Sequence, residues 1–539
     1  MNPDVLVIGA GPVGLTLAVE CQRHGVSFRI VDKAPDHSLH SKALAIWSGT
    51  LEHLAAAGLA EDFLKAARPV RKMVLQDMGH LIAEIPLTEG LETLYGSPVI
   101  IPQSDTEQLL LAQLQKQGVE IERNVECVDL RQDADGVTCG LRRSDGTTET
   151  ITAGWVAGCD GARSIARHKL PVDFTGLTED SGFILADAKV TNGLTDDSIL
   201  LSSGPHGPMI IFPVKPGVWR FFGLREHSED RSEPTLEEIQ RHVDDAGLPH
   251  LRLFDPEWLS YFAVNERVAS RNRVGRVFLL GDASHIHSPA GGQGMNTGMQ
   301  DAFNLGWKLK LLTSGRGDLE AIAESYFAER HPVAEKVVKQ TSRLLHFGIR
   351  SNPVVREAKK VILPFLSHLE PFKKGAAFEL SGLGLSYPPG PLIEKDSPAL
   401  SHHHHLAPGS LARPVPVNKE GSAVSLWREL LHSGHSLLLF SGPSPSAKTA
   451  TSISARIDEF QNLLVRCLVI WYAEVTPSIW QRESPLLDPR GEAHARYSLR
   501  EPGWYLVRPD QYIAARGLDS ELSLLRNYLQ KISPHNLNN

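Results

Sequence analysis

The chain has 539 residues, 42% of them hydrophobic, and a net charge of −8. That length calls for three or four domains around a large core, and an acidic balance without basic blocks argues against nucleic acid or an anionic membrane as partner. Five scattered cysteines with no C-x-x-C pair argue for a reducing, cytoplasmic setting rather than a disulfide framework, and neither a signal peptide nor an apolar run of membrane-spanning length is evident.

From the start of the chain, Asp4-Val5-Leu6-Val7-Ile8 predicts a buried strand. It runs into Gly9-Ala10-Gly11-Pro12-Val13-Gly14, then into a helical pattern through Leu15, Leu17, Ala18 and Cys21. In that setting Gly9 permits the turn, Gly11 lets a pyrophosphate approach the backbone, and Gly14 lets helix and strand pack closely. The helix N-terminus faces the phosphates. Phe28-Arg29-Ile30-Val31 predicts a second strand ending at Asp32, where a carboxylate can accept from a ribose hydroxyl.

Lys42 follows one turn later, placed either to reach a phosphate or ring, or simply to be solvated. Gln103 opens a helix through Leu109, Leu110 and Leu114 and could bond a ligand or serve as an ordinary loop residue. Residues 118–158 read as strands and turns, with Asp145-Gly146 as a hairpin signal. They end in a second strand-to-acid turn, Gly158-Cys159-Asp160-Gly161-Ala162-Arg163-Ser164, in which Asp160 and Arg163 could also form a structural ion pair.

The third such element is Val277 to Leu280, a strand that stops at Gly281-Asp282-Ala283. A loop with Pro289, Gly291, Gly292 and Gly294 then opens into a helix from about Met295 and Asn296. A glycine-rich loop at a helix N-terminus presents backbone N–H groups and the positive dipole end, which suits a planar ligand that becomes anionic.

Taken together these three motifs resemble those of the flavin-dependent aromatic hydroxylases, single-component monooxygenases of the para-hydroxybenzoate hydroxylase type. The resemblance covers the chain to about residue 395. It implies an α/β fold: a Rossmann-like FAD-binding domain (1–172 and 269–395) with an inserted β-sheet substrate domain (173–268). It also implies FAD as bound cofactor, NADPH or NADH as donor, O2 as co-substrate, a small aromatic substrate, and a homodimer. Gly9, Gly11, Pro12, Val13, Gly14, Asp32, Lys42, Gln103, Asp160, Asp282, Pro289, Gly292, Gly294, Met295 and Asn296 become the expected cofactor contacts. At Lys42 related hydroxylases usually carry arginine, and lysine lacks its planar fork.

Within the insert, Phe183-Ile184-Leu185, Met209-Ile210-Ile211-Phe212 and Trp219-Arg220-Phe221-Phe222 are strand-like. Such a sheet could wall an apolar pocket over the flavin ring. Phe212, Phe221 and Phe222 are wall candidates, and alternation puts Phe221 and Phe222 on opposite faces. His206, Arg225, His227 and Tyr261 are polar candidates, each weighed against a plain surface or core role.

Residues 396–420 read as a linker containing the solvated run His402 to His405, with no metal site expected. Residues 421–539 alternate strand and helix, with strands at 436–440 and 464–472 and helices at 451–463 and 517–531. This part resembles the thioredoxin-like tail of phenol hydroxylase and of aromatic polyketide hydroxylases, without the C-x-x-C of thiol chemistry.

The resemblance implies hydride transfer from NAD(P)H, a C4a-hydroperoxyflavin, and hydroxylation of a phenolic or polyketide-type ring. No side-chain nucleophile is required, and water exclusion protects the oxygenating species. A flavin halogenase is disfavoured because Trp47 is followed by Ser-Gly-Thr rather than a W-x-W-x-I-P stretch. An antibiotic-modifying monooxygenase of the tetracycline or rifamycin type, and a flavin-binding protein without turnover, stand as alternatives.

Overall fold

The computed structural model describes residues 2–38, 43–191, 194–225, 231–289, 291–349, 375, 377–401, 406–461, 463, 465–480, 482 and 484–533. Lys42, His227 and His402 to His405 lie outside the described residues.

The N-terminal strand sits in the middle of a six-stranded sheet. In space the order is Arg273–Val274, Val277–Leu279, Trp155–Gly158, Val5–Ile8, Phe28–Asp32 and Glu122–Arg123. All neighbours pair in parallel except the short edge strand Arg273–Val274. Every residue of Val5–Ile8 and Trp155–Gly158 is buried. Both faces are covered, which is why these strands read as continuous apolar runs. Val5 and Val7 pack into the helical side with Leu15 and Phe303, while Leu6 and Ile8 meet the three-stranded sheet Val125–Gln132, Val137–Arg143 and Thr148–Ala153.

An eight-stranded sheet forms the second layer. Its order is His285–Ile286, Leu253–Ala269, Phe174–Val190, Val218–Arg225, Gly207–Lys215, Ser198–Gly204, Lys72–Asp77 and His80–Pro86. The strands expected at 183–185, 209–212 and 219–222 are all here, within longer elements. The hairpin at 72–86, by contrast, comes from the segment read as part of the nucleotide-binding half. It joins because Ser198–Gly204 offers an open edge to which Lys72–Asp77 pairs in parallel. A run such as Met73-Val74-Leu75 carries no local signal for so distant a partner.

The C-terminal sheet runs Ser422–Ser425, Pro416–Lys419, Leu486–Leu487, Val465–Trp471, His435–Phe440, Gly503–Val507 and Ile513–Leu518. Two expectations are corrected here. Pro416–Lys419 was read as linker but forms a hairpin with Ser422–Ser425. The last helix spans Leu522–Ile532, starting later than 517, because Ile513–Leu518 is claimed by antiparallel pairing with Gly503–Val507.

Helix Gly294–Thr313 is buried over nearly its whole surface, between helix Pro12–His24 and helix Leu319–Ile349. It carries a fully buried polar stripe: Asn296, Gln300, Asp301, Asn304 and Lys308. Such groups are tolerated inside a protein only when they are paired. Among the described residues no helix is long and apolar enough to cross a membrane, and no cluster of three or more His, Cys, Asp or Glu could hold a metal.

Candidate functional site

Folding brings the three motifs side by side. Gly9, Cys159-Asp160 and Leu280-Gly281 follow the carboxyl ends of three adjacent parallel strands, and Asp32 ends a fourth. The crevice outside these ends is where parallel α/β sheets bind ligands.

The first loop is closed by glycine and open where an anion would lie. Gly9 has φ +100°, and a Cβ there would sit 2.4 Å from the Cys159 carbonyl oxygen. A Cβ at Gly14 would lie 1.9 Å from the Gly9 oxygen. At Gly11 a Cβ would meet nothing within 4 Å. That open space faces the N-terminus of helix Pro12–His24, which has no side-chain cap. The N–H groups of Val13 and Gly14 have no intrahelical acceptor there, and Pro12 has none to satisfy. The Val13 side chain does something else: it fills a notch between Gly281 and Gly298, where added Cβ atoms would lie 2.8 and 2.6 Å from its Cγ2. The first and third motifs are thereby locked together.

Asp32 accepts from the N–H of Ala10 at 2.5 Å and of Ala34 at 2.7 Å. Arg123 stands 3.8 Å away on the neighbouring strand. The carboxylate keeps lone pairs for a ribose hydroxyl. Gln103 begins helix Gln103–Lys116, and its side-chain amide donates to Glu107 at 2.9 Å.

Asp160 caps the short helix Ile165–His168, accepting from the N–H of Ile165 at 2.7 Å and of Ala166 at 3.2 Å. The pairing considered with Arg163 is not made; Arg163 is exposed, and Asp160 gives its Oδ2 to the helix while its buried Oδ1 has no hydrogen-bond partner among the described residues. Arg167 instead is buried, donating to the Ala162 carbonyl at 2.8 Å and the Ala283 carbonyl at 3.0 Å. It ties the second motif to the third.

In the third motif Asp282 is the exposed residue of the turn Gly281–Ala283. The turn is fixed from behind by Asp301, which accepts from the Gly281 N–H at 3.0 Å, from His285 at 2.8 Å and from Arg330 at 2.7 Å. Burial pushes the Asp301 carboxyl up, but Arg330 and His285 outweigh that and hold it below the usual range. Arg330 also donates to the Thr297 carbonyl at 3.0 Å, in the first turn of helix Gly294–Thr313.

The glycine loop before that helix is held by two side chains. Trp47 donates its indole N–H to the Gly291 carbonyl at 3.2 Å. Asn296 donates to Ala45 and Gly292 carbonyls at 2.8 and 3.0 Å and accepts from the Trp47 N–H at 2.9 Å. Its amide is thus a staple, leaving its backbone N–H, with those of Gly294 and Met295, for a ligand. Gly291 and Gly292 both have positive φ, +88° and +62°, as this tight entry requires. Pro289 is exposed at the loop's rim and Met295 is buried behind it. His287 lies against Gly294, and burial lowers its imidazole to about 4, so it is neutral. One turn beyond Trp47, Glu52 is fully buried, and burial raises its carboxyl to about 7 despite Thr93 and the charge of Arg413.

The eight-stranded sheet presents an aromatic face. Phe222 stacks on Phe183 at 4.4 Å, and Phe262 lies 5.5 Å from Phe222. Phe212 packs against this cluster and also against the one containing Leu44 and Ala45, reaching toward the loop that Asn296 staples. Arg220 and Asp187 form a buried bidentate pair at 2.7 Å on the same side, with Trp258 5.1 Å from the guanidinium. Three candidates fall elsewhere. Phe221 is fully buried on the opposite side with Ile184, Met209 and Val243. Arg225 is clamped to Glu238 at 2.8 and 2.6 Å and lies over the Tyr261 ring, so it anchors helix Leu236–Asp245. His206 is exposed and faces Asp245 at 3.3 Å. None of the three lines the aromatic face. Asp301, Arg330, Arg167 and Asn296 as a staple were not legible, because each acts on a partner distant in the chain.

The space above Gly11, two uncapped helix N-termini and exposed Asp282 together fit a dinucleotide with a planar head group. The model of the FAD binding domain family matches residues 2–341. A 6-methylpretetramide 4-monooxygenase from Streptomyces rimosus is 33% identical over 540 residues, covering 98% of this chain and 94% of that protein. A rifampicin monooxygenase from Streptomyces venezuelae is 38% identical over 347 residues, 63% of this chain and 70% of that protein. The solved structure of anhydrotetracycline hydroxylase from Streptomyces rimosus superposes with a TM-score of 0.76 at 28% identity, covering 98% of this chain and 99% of that one.

Proposed function

The chain belongs to the FAD binding domain family and is an NAD(P)H- and FAD-dependent monooxygenase of the aromatic-hydroxylase type; from that premise we propose that it hydroxylates a fused-ring, polyketide-type phenol, with O2 as the oxygen source. The observation that supports this substrate class is the match along nearly the whole chain to a relative named for 6-methylpretetramide. An apolar, ring-lined wall formed by Phe183, Phe222 and Phe262 suits a planar polycyclic surface.

In this reading the six-stranded sheet and its helices are a Rossmann-like FAD-binding domain, and the eight-stranded sheet, including the hairpin at 72–86, is the substrate domain. The C-terminal sheet is a thioredoxin-like unit without thiol chemistry. Its one cysteine, Cys467, has a thiol raised to about 11 by burial.

When bound, FAD would supply the redox chemistry: hydride acceptance from NAD(P)H and activation of O2, one oxygen atom going to the ring and the other to water. The protein's part is binding, orientation and exclusion of water. Val13 and Gly14 N–H groups would hold the pyrophosphate, Asp32 the adenosine ribose, and Asp282 the ribityl hydroxyls. The N-terminus of helix Gly294–Thr313 would favour negative charge on the ring system by about 0.5–2 kcal/mol. Trp47 and Asn296 keep the glycine loop in the shape that presents those N–H groups. Phe212 packs against both the loop side and the aromatic face, where its ring would help to exclude water from the bound flavin.

The test is a panel of tetracyclic polyketide phenols, monocyclic phenols and rifamycins, scored by stimulated NAD(P)H oxidation and by a product heavier by one oxygen. Turnover confined to fused-ring phenols supports the proposal. Turnover confined to rifamycins would replace it with the antibiotic-modifying reading, which the 38% match to a rifampicin monooxygenase favours. No stimulation by any compound, with FAD bound, would leave a flavin-binding protein without turnover.

A further inference from the structure

The hairpin at 503–518 in the C-terminal sheet carries the segment Arg508-Pro509-Asp510-Gln511-Tyr512 at its turn. The turn is driven into the nucleotide-binding half. The Arg508 guanidinium is fully buried and donates to both Glu329 oxygens at 2.8 Å. It also pairs with Asp510 and donates to the Leu392 carbonyl. Glu329 further accepts from Lys308 at 2.9 Å and Asn304 at 2.7 Å, both on helix Gly294–Thr313. The lower half of that helix's polar stripe is therefore satisfied by a carboxylate that the C-terminal unit holds in place.

The next residue after Glu329 is Arg330, which pins Asp301 and the Thr297 carbonyl, and Asp301 in turn pins the Gly281 N–H. A second contact runs alongside. Tyr512 stacks on Tyr387 at 4.2 Å, and the Tyr387 hydroxyl accepts from Arg330 at 3.4 Å. Both contacts end on the two elements expected to hold the flavin: the turn Gly281–Ala283 and the first turn of helix Gly294–Thr313.

We propose that the turn 508–512 is a positioning device for the flavin cradle, with Arg508 acting through Glu329 on Arg330 and Asp301. This rests on the reading of the cradle as the FAD site. It gives the C-terminal unit a task that needs no thiol. Removing a buried charge leaves its partner unpaired, so Arg508 is best changed together with Asp510, which keeps Glu329 paired to Lys308.

The experiment compares wild-type protein, R508M/D510N, R508K and R516M by FAD titration of the apoprotein and by visible circular dichroism of the bound flavin, at a temperature where all are folded. Arg516 is the control: it is equally buried in the same hairpin and donates to Asp396 at 2.7 Å, to the Tyr505 hydroxyl at 3.1 Å and to the Leu400 carbonyl at 3.0 Å. R508M/D510N should weaken FAD binding about tenfold or more and alter the flavin dichroism. R508K should recover part of both, and R516M should lose thermal stability without either change. Equal effects of R508M/D510N and R516M, or none from R508M/D510N, would overturn the proposal. If the wild type itself fails to bind FAD, the cradle reading fails first.

Discussion

Gly11→Ala separates binding from folding. At φ −80° and ψ −172° the Gly11 backbone is in a region alanine adopts without strain, and its Cβ would touch no protein atom. Alanine narrows the unfolded ensemble, stabilising by about 0.4–1 kcal/mol, and is a poorer N-cap than glycine by a similar amount. The two roughly cancel, so the apoprotein should unfold at nearly the wild-type temperature. The methyl group, however, occupies the place where a pyrophosphate would meet the Val13 and Gly14 N–H groups. Losing two charge-assisted hydrogen bonds at about 1.5–3 kcal/mol each corresponds to roughly a 100-fold or greater rise in Kd for FAD. Flavin fluorescence quenching on titration of apoprotein measures the Kd, and thermal unfolding monitors the fold. A Kd within about threefold of wild type would refute the pyrophosphate assignment. Gly14→Ala is the contrast: its Cβ would collide with the Gly9 carbonyl, so there the fold itself should suffer.

Asp282→Ala should purify with little or no flavin, with the far-ultraviolet circular dichroism of the apoprotein reporting the fold separately; full flavin occupancy would remove the exposed Asp282 from the site. Phe222→Ala should raise KM and the share of NAD(P)H consumed without hydroxylation, whereas Phe221→Ala, in the opposite core, should cost about 3–5 kcal/mol of stability with less change in coupling. Identical coupling in the two variants would count against the aromatic face as substrate wall. Glu52 gives a pH signature. Its carboxyl is raised from 4.5 to about 7, so stability is intact below pH 4.5 and falls as pH rises through 7, by on the order of 3 kcal/mol. Glu52→Gln should therefore match wild type in thermal unfolding at about pH 5 and exceed it at about pH 8. A gap that does not widen with pH would show that Glu52 is not the titrating group.

The contrast between legible and hidden features follows the range of the forces involved. Strand, turn and helix in Val5–Gly14, Trp155–Ser164 and Val277–Asn296 are specified by neighbours in the chain: apolar runs, positive-φ glycines and helix starts. Those motifs could be found without coordinates, and with them the cofactor and the class of chemistry. That the three ends lie edge to edge, that Lys72–Pro86 completes the eight-stranded sheet, and that Phe222 packs with Phe183 and Phe262 while Phe221 packs in the opposite core are consequences of pairing and packing between segments far apart. Buried charges are the extreme case. Asp301, Glu329, Arg330 and Arg508 look in the sequence like solvated surface residues, because a charge announces its burial only through the partner that makes burial tolerable, and that partner is chosen by the tertiary fold.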